Sequence, residues 1–337
     1  MKVLVTGATG FLGAATVKRL LLNDEVEQVI CLARDQVKAA QIKQNVENIQ
    51  KLIFLHQDLH SLSMTDLEID AVIHAASVRN LDYCNTHPKE AVDVNVEGLR
   101  RLLELSKKKN VRKWINVSSW SVYGDPMQHI EDGNHDEGIV LREDMNCYPS
   151  GTYALTKYIG EVLTQNILSG YALYVSVRCS RFYGMGLFRN PDNFMTNHYP
   201  LACLHGGMLN IKGNGRQGLD ILHIDDAARF IETMLIHPSE KVWDTVYNIG
   251  SGAAISILAI AEHFHSISAK MGYSDVEIFV EEPDALTPKH FWLDIQKAKD
   301  HLNWSPKIEL KQGIYTTLEA IIHAELLKSQ STKISHL

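Results

Sequence analysis

A tyrosine and a lysine stand four residues apart in the segment "SGTYALTKYIGEVL", which covers residues 150–163. Positions i and i+4 of an α-helix lie on one face, so the phenol of Tyr153 and the ammonium of Lys157 would project together. Both groups can exchange protons, which makes the pair a candidate for acid–base chemistry. A surface helix with a half-buried tyrosine and a lysine whose head reaches water would show the same spacing. The pair therefore needs support from the rest of the chain.

A glycine-rich turn near the start of the chain indicates a phosphate site. The stretch "VLVTGATGFLG" (3–13) joins an apolar run to Gly7, Gly10 and Gly13 and then to a helical pattern. In a dinucleotide site the first glycine permits a tight turn, the second lets the backbone approach a pyrophosphate, and the third lets the helix pack on the strand. The spacing is G-x-x-G-x-x-G rather than G-x-G-x-x-G. Its position between the first strand and the first helix supports a dinucleotide site.

The end of the second predicted strand bears on which dinucleotide is bound. An NAD site usually places an acidic side chain there for the ribose 2′-hydroxyl, whereas an arginine suits the 2′-phosphate of NADP. Here Ala33 and Arg34 follow the apolar run, and Asp35 comes one place later. Arg34 would pair with a 2′-phosphate, and Ala33 carries no negative charge that would repel it. The sequence favours NADP, and Asp35 keeps NAD open.

An α/β scaffold is predicted to hold these residues. Apolar runs predict buried strands at 2–7, 28–33, 52–58, 71–76, 113–119 and 173–179, with helical patterns between them at 11–23, 89–109 and 152–168. Strands that alternate with helices and are apolar throughout predict a parallel sheet covered on both faces. Beyond about residue 180 the alternation becomes irregular, which indicates a smaller, substrate-facing lobe.

Composition excludes several classes of protein. The chain has 337 residues, a formal net charge of −7 and one short basic run at 107–113, so no nucleic-acid partner is expected. No apolar run is long enough for a membrane helix, and the N-terminus runs directly into a strand without a signal peptide. The five cysteines are scattered, which predicts reduced thiols and a cytoplasmic location. No cluster has metal-ligand spacing, so no metal is expected.

Nine motifs recur in order across nearly the whole chain: "TGATGFLG" (6–13), "DL" (58–59), "VIHAAS" (72–77), "VNVEGLRRLLE" (94–104), "VSSWSVYG" (117–124), "YALTK" (153–157), "RCSRFYG" (178–184), "LHIDDAAR" (222–229) and "YNIGSG" (247–252). With them the chain resembles the extended short-chain dehydrogenase/reductase family, the branch of NAD(P)-dependent epimerases and dehydratases that act largely on nucleotide sugars. The resemblance implies a Rossmann doubly wound parallel sheet in residues 1–180. It also implies a smaller C-terminal substrate-binding lobe in 181–337, with segments around 220–250 returning to the first domain.

The resemblance also assigns roles to individual residues. Tyr153 would be the general acid/base, Lys157 would hold the nicotinamide ribose and lower the pKa of Tyr153, and Ser119 would orient the substrate oxygen, with Ser118 and Ser121 as neighbours able to share that role. The implied and derived cofactor-binding residues together are Gly7, Thr9, Gly10, Phe11, Leu12, Gly13, Arg34, Asp58, Leu59, Ala75, Ala76, Asn95, Tyr153 and Lys157. A homodimer formed through the helices at 89–109 and 152–168 is a further implication.

Three departures from the family pattern bear on the substrate. Trp120 and Ser121 replace the acidic pair that dehydratases carry after the catalytic serine or threonine, which counts against a 4,6-dehydratase. Leu219 stands where nucleotide-sugar enzymes commonly have a diphosphate-binding arginine; either the nearest arginine, Arg216, reaches the substrate, or the substrate is not a nucleotide diphosphate. Arg181 replaces the usual asparagine, which suggests an anionic or polar substrate unless it only forms a salt bridge.

Two further features are candidates for substrate contacts. His198 lies where some members of the family place a second acid/base, although a loop histidine is more often incidental. The segment 127–146 between the serine and tyrosine motifs is predicted to be a lid or an oligomer loop.

The sequence leaves three functions to compare. The first is an NAD(P)-dependent epimerase or oxidoreductase acting on a sugar-like hydroxyl or keto group, with a nucleotide sugar as candidate substrate. The second is a net NADPH-dependent carbonyl reductase on a non-nucleotide substrate, favoured by Arg34 and Leu219. A dinucleotide-sensing regulator is disfavoured, because Ser119, Tyr153 and Lys157 are all present.

Overall fold

The computed structural model describes residues 1–64, 67–125, 138–188, 193–273, 275–282 and 290–334, with side chains as far as residue 325. The strands are β1 Lys2–Thr6, β2 Gln28–Leu32, β3 Leu52–Leu55, β4 Ala71–His74, β5 Lys113–Ser119, β6 Ile139–Leu141, β7 Leu173–Cys179, β8 Arg181–Tyr183, β9 Gly207–Ile211, β10 Gly218–Leu219, β11 Ile221–His223, β12 Thr245–Ile249, β13 Ile255–Ser256, β14 Val276–Val280 and β15 Phe291–Leu293. The α-helices are α1 Phe11–Leu21, α2 Gln36–Gln44, α3 Leu81–Thr86, α4 Pro88–Val92, α5 Leu99–Lys108, α6 Gly151–Leu168, α7 Tyr199–His205, α8 Ile224–Ile236, α9 Ile257–Lys270, α10 Gln296–Leu302 and α11 Leu310–Ile334.

The centre of the molecule is a seven-stranded sheet in the order β12-β7-β5-β4-β1-β2-β3. Every neighbouring pair in it is parallel. The chain builds outward from β1 to β3, then crosses back to place β4 on the other side of β1. This is the doubly wound arrangement, and its switch point lies between β1 and β4. The predicted Rossmann fold class is confirmed.

Both faces of the sheet are covered, as the uniformly apolar strands predict. Along β1, Val3 and Val5 belong to a core shared with α1 and α8, whereas Leu4 belongs to a second core shared with α5. Successive side chains of a strand point to opposite faces, so each face of β1 needs its own apolar layer. All three residues are fully buried.

The second half of the chain forms a third core beside the sheet. Tyr199 of α7, Phe264 of α9 and Ile314 of α11 pack together there. Short strand pairs edge this region: β8 with β11, β9 with β14, and β10 with β13. The sheet's edge strand β12 lies between β11 and β13 in the chain. The predicted domain boundary between residues 180 and 181 stays a prediction.

The segment predicted as a lid or oligomer loop is described only in part, because residues 126–137 lie outside the described residues. Its described end forms β6, which pairs in parallel with β15. The Glu143 carboxylate then accepts a hydrogen bond from the backbone nitrogen of Asn248 at 2.9 Å. Residues 139–143 are therefore tied to the edge of the central sheet.

A π-helical turn, Asp93–Gly98, connects α4 to α5 and makes one long helix of the predicted 89–109 segment. Such turns often occur at functional sites. None of the helices in the described ranges is long and apolar enough to cross a membrane. All five cysteines are free thiols.

Candidate active site

The glycine turn between β1 and α1 is packed against the loop after β4. Gly7 has a φ of +67°, and a Cβ at this position would lie 2.6 Å from the nitrogen of Ala76 and 2.8 Å from the oxygen of Ala75. A Cβ on Gly13 would overlap the carbonyl oxygen of Gly7. Only glycine fits both positions, and α1 begins at Phe11 with its first amide groups at the turn. This is the geometry of a backbone cradle for a pyrophosphate.

A cleft of about 1200 Å³ opens at this turn, beyond the carboxyl ends of β1 and β4. In doubly wound sheets, ligands bind at this switch point. The predicted residues that line the cleft are Gly7, Thr9, Gly10, Phe11, Leu12, Gly13, Arg34, Asp58, Leu59, Ala75, Ala76, Ser119, Ser121, Tyr153, Lys157 and Arg181. One cavity thus brings together the glycine turn and the serine–tyrosine–lysine set. These residues fit a bound dinucleotide whose pyrophosphate lies at the turn.

The serine is positioned by the end of β5. Ser119 is the last residue of that strand, and its hydroxyl accepts hydrogen bonds from the backbone nitrogen of Ser121 at 3.2 Å and from the Ser121 hydroxyl at 3.0 Å. Ser121 therefore orients the Ser119 hydroxyl, which still faces the cleft. The neighbouring Ser118 hydroxyl instead donates to Glu161 at 2.5 Å. This difference supports the choice of Ser119 over Ser118.

The tyrosine and the lysine both come from the first half of α6. Lys157 is buried, and its Nζ donates to the carbonyl oxygen of Val117 at 2.8 Å. The same Nζ lies 6.0 Å from the centre of the Tyr153 ring. Because Val117 precedes Ser119 on β5 by two residues, this hydrogen bond fixes α6 against the strand that carries the serine.

Burial shifts the pKa values of both Tyr153 and Lys157. Burial raises the pKa of Tyr153 to about 12, and the hydrogen bond with Ser119 lowers it only partly. Burial also lowers the pKa of Lys157 to about 8, although Glu161 among its neighbours raises it. The family resemblance implies a tyrosine whose pKa is lowered by Lys157. In this protein the loss of water around the phenol outweighs its neighbours, so the expected shift is not seen.

Asn95 supports the cleft without being one of the residues that line it. It lies in the π-helical turn, and its side-chain amide bonds both the nitrogen and the oxygen of Val78, at 2.7 and 2.9 Å. The amide also donates to the Thr156 hydroxyl at 3.1 Å. Asn95 thereby holds the loop after β4 against the helix of Tyr153 and Lys157.

The end of β2 has the charges that the sequence predicts. Arg34 and Lys38 line the cleft, and Ala33 offers no carboxylate. The Asp35 carboxylate accepts a hydrogen bond from the Lys38 nitrogen at 3.0 Å and so caps α2. Asp58 likewise accepts hydrogen bonds from the nitrogens of His60 and Ser61, both at 2.8 Å, which shapes the turn after β3.

The four predicted substrate residues do not all lie together. Ser121 and Arg181 line the cleft. His198 ends the helical turn Phe194–His198 with an exposed side chain, and Arg216 is exposed on the loop after β9. Neither is among the described residues that line the cleft. Their predicted contacts with substrate stay predictions.

Several cleft residues are ones to which the sequence assigned no role. Arg79 and Cys179 lie close enough to Tyr153 to change its pKa, the first lowering it and the second raising it. Phe194 and Met195 line the cleft from the second lobe. Cys179 could have been found from its position as the last residue of a predicted strand, because such residues meet at the ligand-binding edge. Within the described residues, no group of His, Cys, Asp or Glu could hold a metal ion.

Comparison with known proteins identifies the class. The model of the NAD dependent epimerase/dehydratase family matches residues 3–250, so the chain belongs to this family. It is 27% identical over 343 residues to a dTDP-glucose 4,6-dehydratase of Shigella flexneri, covering 95% of this chain and 92% of that protein. It is 27% identical over 327 residues to an uncharacterized UDP-glucose epimerase of Bacillus subtilis, covering 93% and 96%.

A solved structure supports the same conclusion. The UDP-glucuronic acid 4-epimerase of Bacillus cereus in complex with NAD is 28% identical, with a TM-score of 0.77, and the match covers 96% of this chain and 100% of that one. The protein is thus an NAD(P)-dependent enzyme of the extended short-chain dehydrogenase/reductase type. The predicted family and enzyme class are confirmed.

Proposed function

We propose that this enzyme is an epimerase that transfers hydride to and from a hydroxyl-bearing carbon of a nucleotide sugar, with Tyr153 as acid/base. The observation that carries the proposal is the cleft in which the glycine turn, Ser119, Tyr153 and Lys157 meet. Names of similar proteins, the UDP-glucose and UDP-glucuronic acid epimerases, support a nucleotide sugar as the substrate.

The residues divide the chemistry as follows. A dinucleotide held at the glycine turn would supply the acceptor and donor of the hydride that the substrate carbon loses and regains. Tyr153 takes the proton of the substrate hydroxyl through its phenolic oxygen, and donates it back when the keto oxygen is reduced. Ser119 donates a hydrogen bond to the same oxygen and orients it. Lys157 places a positive charge beside the tyrosinate that the proton transfer requires.

Replacing Tyr153 by Phe tests the assignment. The variant loses the proton-transfer group but keeps the ring that packs in the cleft, so we expect turnover to fall by at least about 100-fold, with dinucleotide affinity unchanged. Turnover is measured with UDP-glucose and UDP-glucuronic acid, and dinucleotide affinity by fluorescence titration. Tyr171, which is 63% exposed, provides the matched Tyr→Phe control. Near-normal turnover in Tyr153→Phe would overturn the assignment.

We further propose that the dinucleotide is NADP(H) in preference to NAD(H). Arg34 and Lys38 line the cleft at the end of β2, Ala33 supplies no acidic side chain, and the Asp35 carboxylate caps α2. Asp35 also lines the cleft, but its carboxylate already accepts the hydrogen bond from the Lys38 nitrogen, whereas a 2′-phosphate would find two cations. The NAD bound in the Bacillus cereus epimerase supports the alternative.

The cofactor can be identified directly. The purified protein is denatured, and any released dinucleotide is identified by mass spectrometry. Stoichiometric NAD(H) would support a redox-neutral epimerase and count against NADP(H). An empty protein that binds NADPH more tightly than NADH would support NADP(H). In that case Arg34→Ala should weaken NADPH by about tenfold and leave NADH unchanged, because one charged hydrogen-bond partner is lost.

A net carbonyl reductase acting on a non-nucleotide substrate is the second candidate. Leu219 is buried where the family commonly places a diphosphate-binding arginine, and Arg216 is exposed outside the described lining of the cleft. NADPH consumption with aldehydes and ketones, and none with nucleotide sugars, would favour this function.

A further inference from the structure

Arg181 is a charged cleft residue that the proposed reaction does not use. It begins β8, which pairs in parallel with β11 so that Arg181 stands opposite Ile221. Its backbone nitrogen donates to the carbonyl oxygen of Asp220 at 3.3 Å. Both strands begin at the cleft, where their first residues, Arg181 and Ile221, line it. The backbone of Arg181 is therefore held by regular pairing rather than by a loose loop.

An aromatic ring holds the head of this arginine. The guanidinium carbon of Arg181 lies 5.5 Å from the centre of the Trp120 ring, within the range of a cation–π contact. Trp120 in turn packs on Phe291 of β15, with ring centres 4.6 Å apart. Because Trp120 directly follows Ser119, the stacked guanidinium lies beside the end of the cleft where the proposed reaction occurs.

The positive charge of Arg181 lacks a carboxylate partner within the described residues. The nearest candidate by pairing is Asp220, but its carboxylate accepts hydrogen bonds from the nitrogens of Ser251 and Leu293, at 2.7 and 2.9 Å. Arg181 is an exposed residue, but the protein atoms around its guanidinium remove part of the water from it and so lower its pKa. A guanidinium in this setting gains from an incoming anion, which it can bind through two parallel hydrogen bonds.

We propose that Arg181, stacked on Trp120, binds a carboxylate carried by the sugar ring, so that the substrate is a nucleotide sugar of the uronic acid class. This inference rests on the proposed function. Trp120 and Arg181 both change the charge of the site. The acidic pair that dehydratases carry is absent at Trp120 and Ser121, and Arg181 adds a cation. A site with this charge favours a sugar acid and disfavours its neutral analogue.

The location of Arg181 favours a carboxylate over the substrate's diphosphate. In a hexuronic acid the carboxylate is attached to the ring carbon next to C4, whereas the diphosphate is attached to C1 on the far side of the ring. Arg181 stacks beside Ser119, the residue proposed to hold the reacting oxygen. For hydride transfer at C4, the anion within reach of Arg181 is therefore the carboxylate.

Binding measurements on the dinucleotide-loaded protein test the proposal without requiring turnover. We expect wild-type protein to bind UDP-glucuronic acid about tenfold or more tightly than UDP-glucose, by isothermal titration calorimetry. Arg181→Gln should abolish this preference and leave the Kd values of UDP-glucose and UDP unchanged. Arg112→Gln is the control. Arg112 is exposed and directly precedes β5, so it lies at the amino end of that strand, away from the cleft.

Four results would overturn the inference. Equal Kd values for UDP-glucuronic acid and UDP-glucose in the wild-type protein would show that the site does not recognise the carboxylate. A loss of UDP affinity in Arg181→Gln would show that Arg181 binds the diphosphate instead. Failure of every nucleotide sugar to bind would remove both this inference and the proposed function. Turnover of UDP-glucose without any preference for the acid would remove the inference alone.

Discussion

Tyr153 presents the central question at the scale of single residues, because its surroundings oppose the role proposed for it. Burial raises the pKa of its phenol to about 12, whereas a general base needs the tyrosinate. Lys157 lies nearby, but its Nζ is engaged by the carbonyl oxygen of Val117. The protein without dinucleotide therefore holds Tyr153 protonated at neutral pH. The additional stabilisation of the tyrosinate must come with the bound cofactor and substrate.

This reasoning gives a prediction for the dinucleotide-free protein. A folded-state pKa of about 12 lies above the ordinary value of 10, so Tyr153 should not ionise below about pH 10. The measurement is a difference titration of tyrosinate absorbance, comparing wild type with Tyr153→Phe. The two curves should coincide up to pH 10. An ionisation of Tyr153 near pH 7 or 8 would contradict the expected burial effect.

At the scale of secondary-structure elements, the glycine turn decides how closely the loops after β1 and β4 approach each other. Gly7 and Gly170 both have positive φ, +67° and +75°, but only Gly7 has neighbours within reach of a Cβ. Gly170→Ala should cost about 1–2 kcal/mol of unfolding free energy, because alanine strains the left-handed backbone. Gly7→Ala should cost more, because its methyl group would also push apart the backbone at Ala75 and Ala76.

Urea unfolding followed by circular dichroism measures both variants. The difference between them isolates the steric term, since the backbone strain is common to both. Gly7→Ala should also weaken dinucleotide binding, because separation of the two loops widens the cleft, whereas Gly170→Ala should not. Equal costs for the two variants would show that the Gly7 turn adapts to a side chain.

Helix α6 carries a third functional position on the face of Tyr153 and Lys157. Glu161, one turn further on, forms a buried ion pair with Arg178 of β7 at 2.8 Å, and both side chains are only 6% exposed. Glu161 also accepts the hydrogen bond from Ser118 on β5. One carboxylate thus ties α6, the helix of Tyr153 and Lys157, to the two strands beneath it.

Removing that carboxylate should be costly. Glu161→Leu leaves Arg178 buried without its partner and should lower the unfolding free energy by about 3–5 kcal/mol. The double variant Glu161→Leu/Arg178→Met removes both charges and should recover much of this loss. Glu104→Ala breaks an exposed pair with Arg100 and should cost less than about 1 kcal/mol. Denaturant unfolding gives all three values, and a double variant no more stable than Glu161→Leu would contradict this account.

How well the sequence predicts the elements depends on whether the signal is local. The strands at 113–119 and 173–179 match their predicted bounds, because uninterrupted apolar runs identify buried strands directly. The π-helical turn at Asp93–Gly98 gives no such signal, since it follows from how Asn95 meets Val78 and Thr156. The pairing of β6 with β15 is equally hidden, because it joins residues about 150 positions apart.

At the scale of the whole molecule, the difference between local and non-local signals also explains which residues of the candidate site the sequence predicts. Ser119, Tyr153 and Lys157 lie on elements fixed by the central sheet, so motif spacing predicts their meeting in one cleft. His198 and Arg216 lie on turns of the second lobe, where spacing does not determine which way a side chain faces. Whether a residue there reaches the cleft depends on packing within that lobe, and Phe194 and Met195 reach it while His198 is exposed.

The outer surface of the molecule bears on its predicted assembly. Leu155 and Val162 of α6 are 48% and 39% exposed, and Val92 at the end of α4 is 41% exposed. Leu155 and Val162 are seven residues apart, which places them on one face of the helix. Apolar residues aligned in this way favour burial against another surface. They support the predicted homodimer, in which these helices of two copies would meet.

Leu155→Glu tests the assembly without disturbing the core. A charge at an exposed position should leave the fold intact, but two copies meeting at this face would bury two unpaired carboxylates. We expect a wild-type dimer by sedimentation velocity and a monomer for the variant, with unchanged circular dichroism. Val37→Glu is the control, because Val37 is 69% exposed on α2, away from this face. A monomeric wild type, or a variant that remains dimeric, would exclude α6 as the contact. Because the same helix carries Tyr153 and Lys157, a monomer with reduced turnover would show that the contact also steadies the catalytic pair.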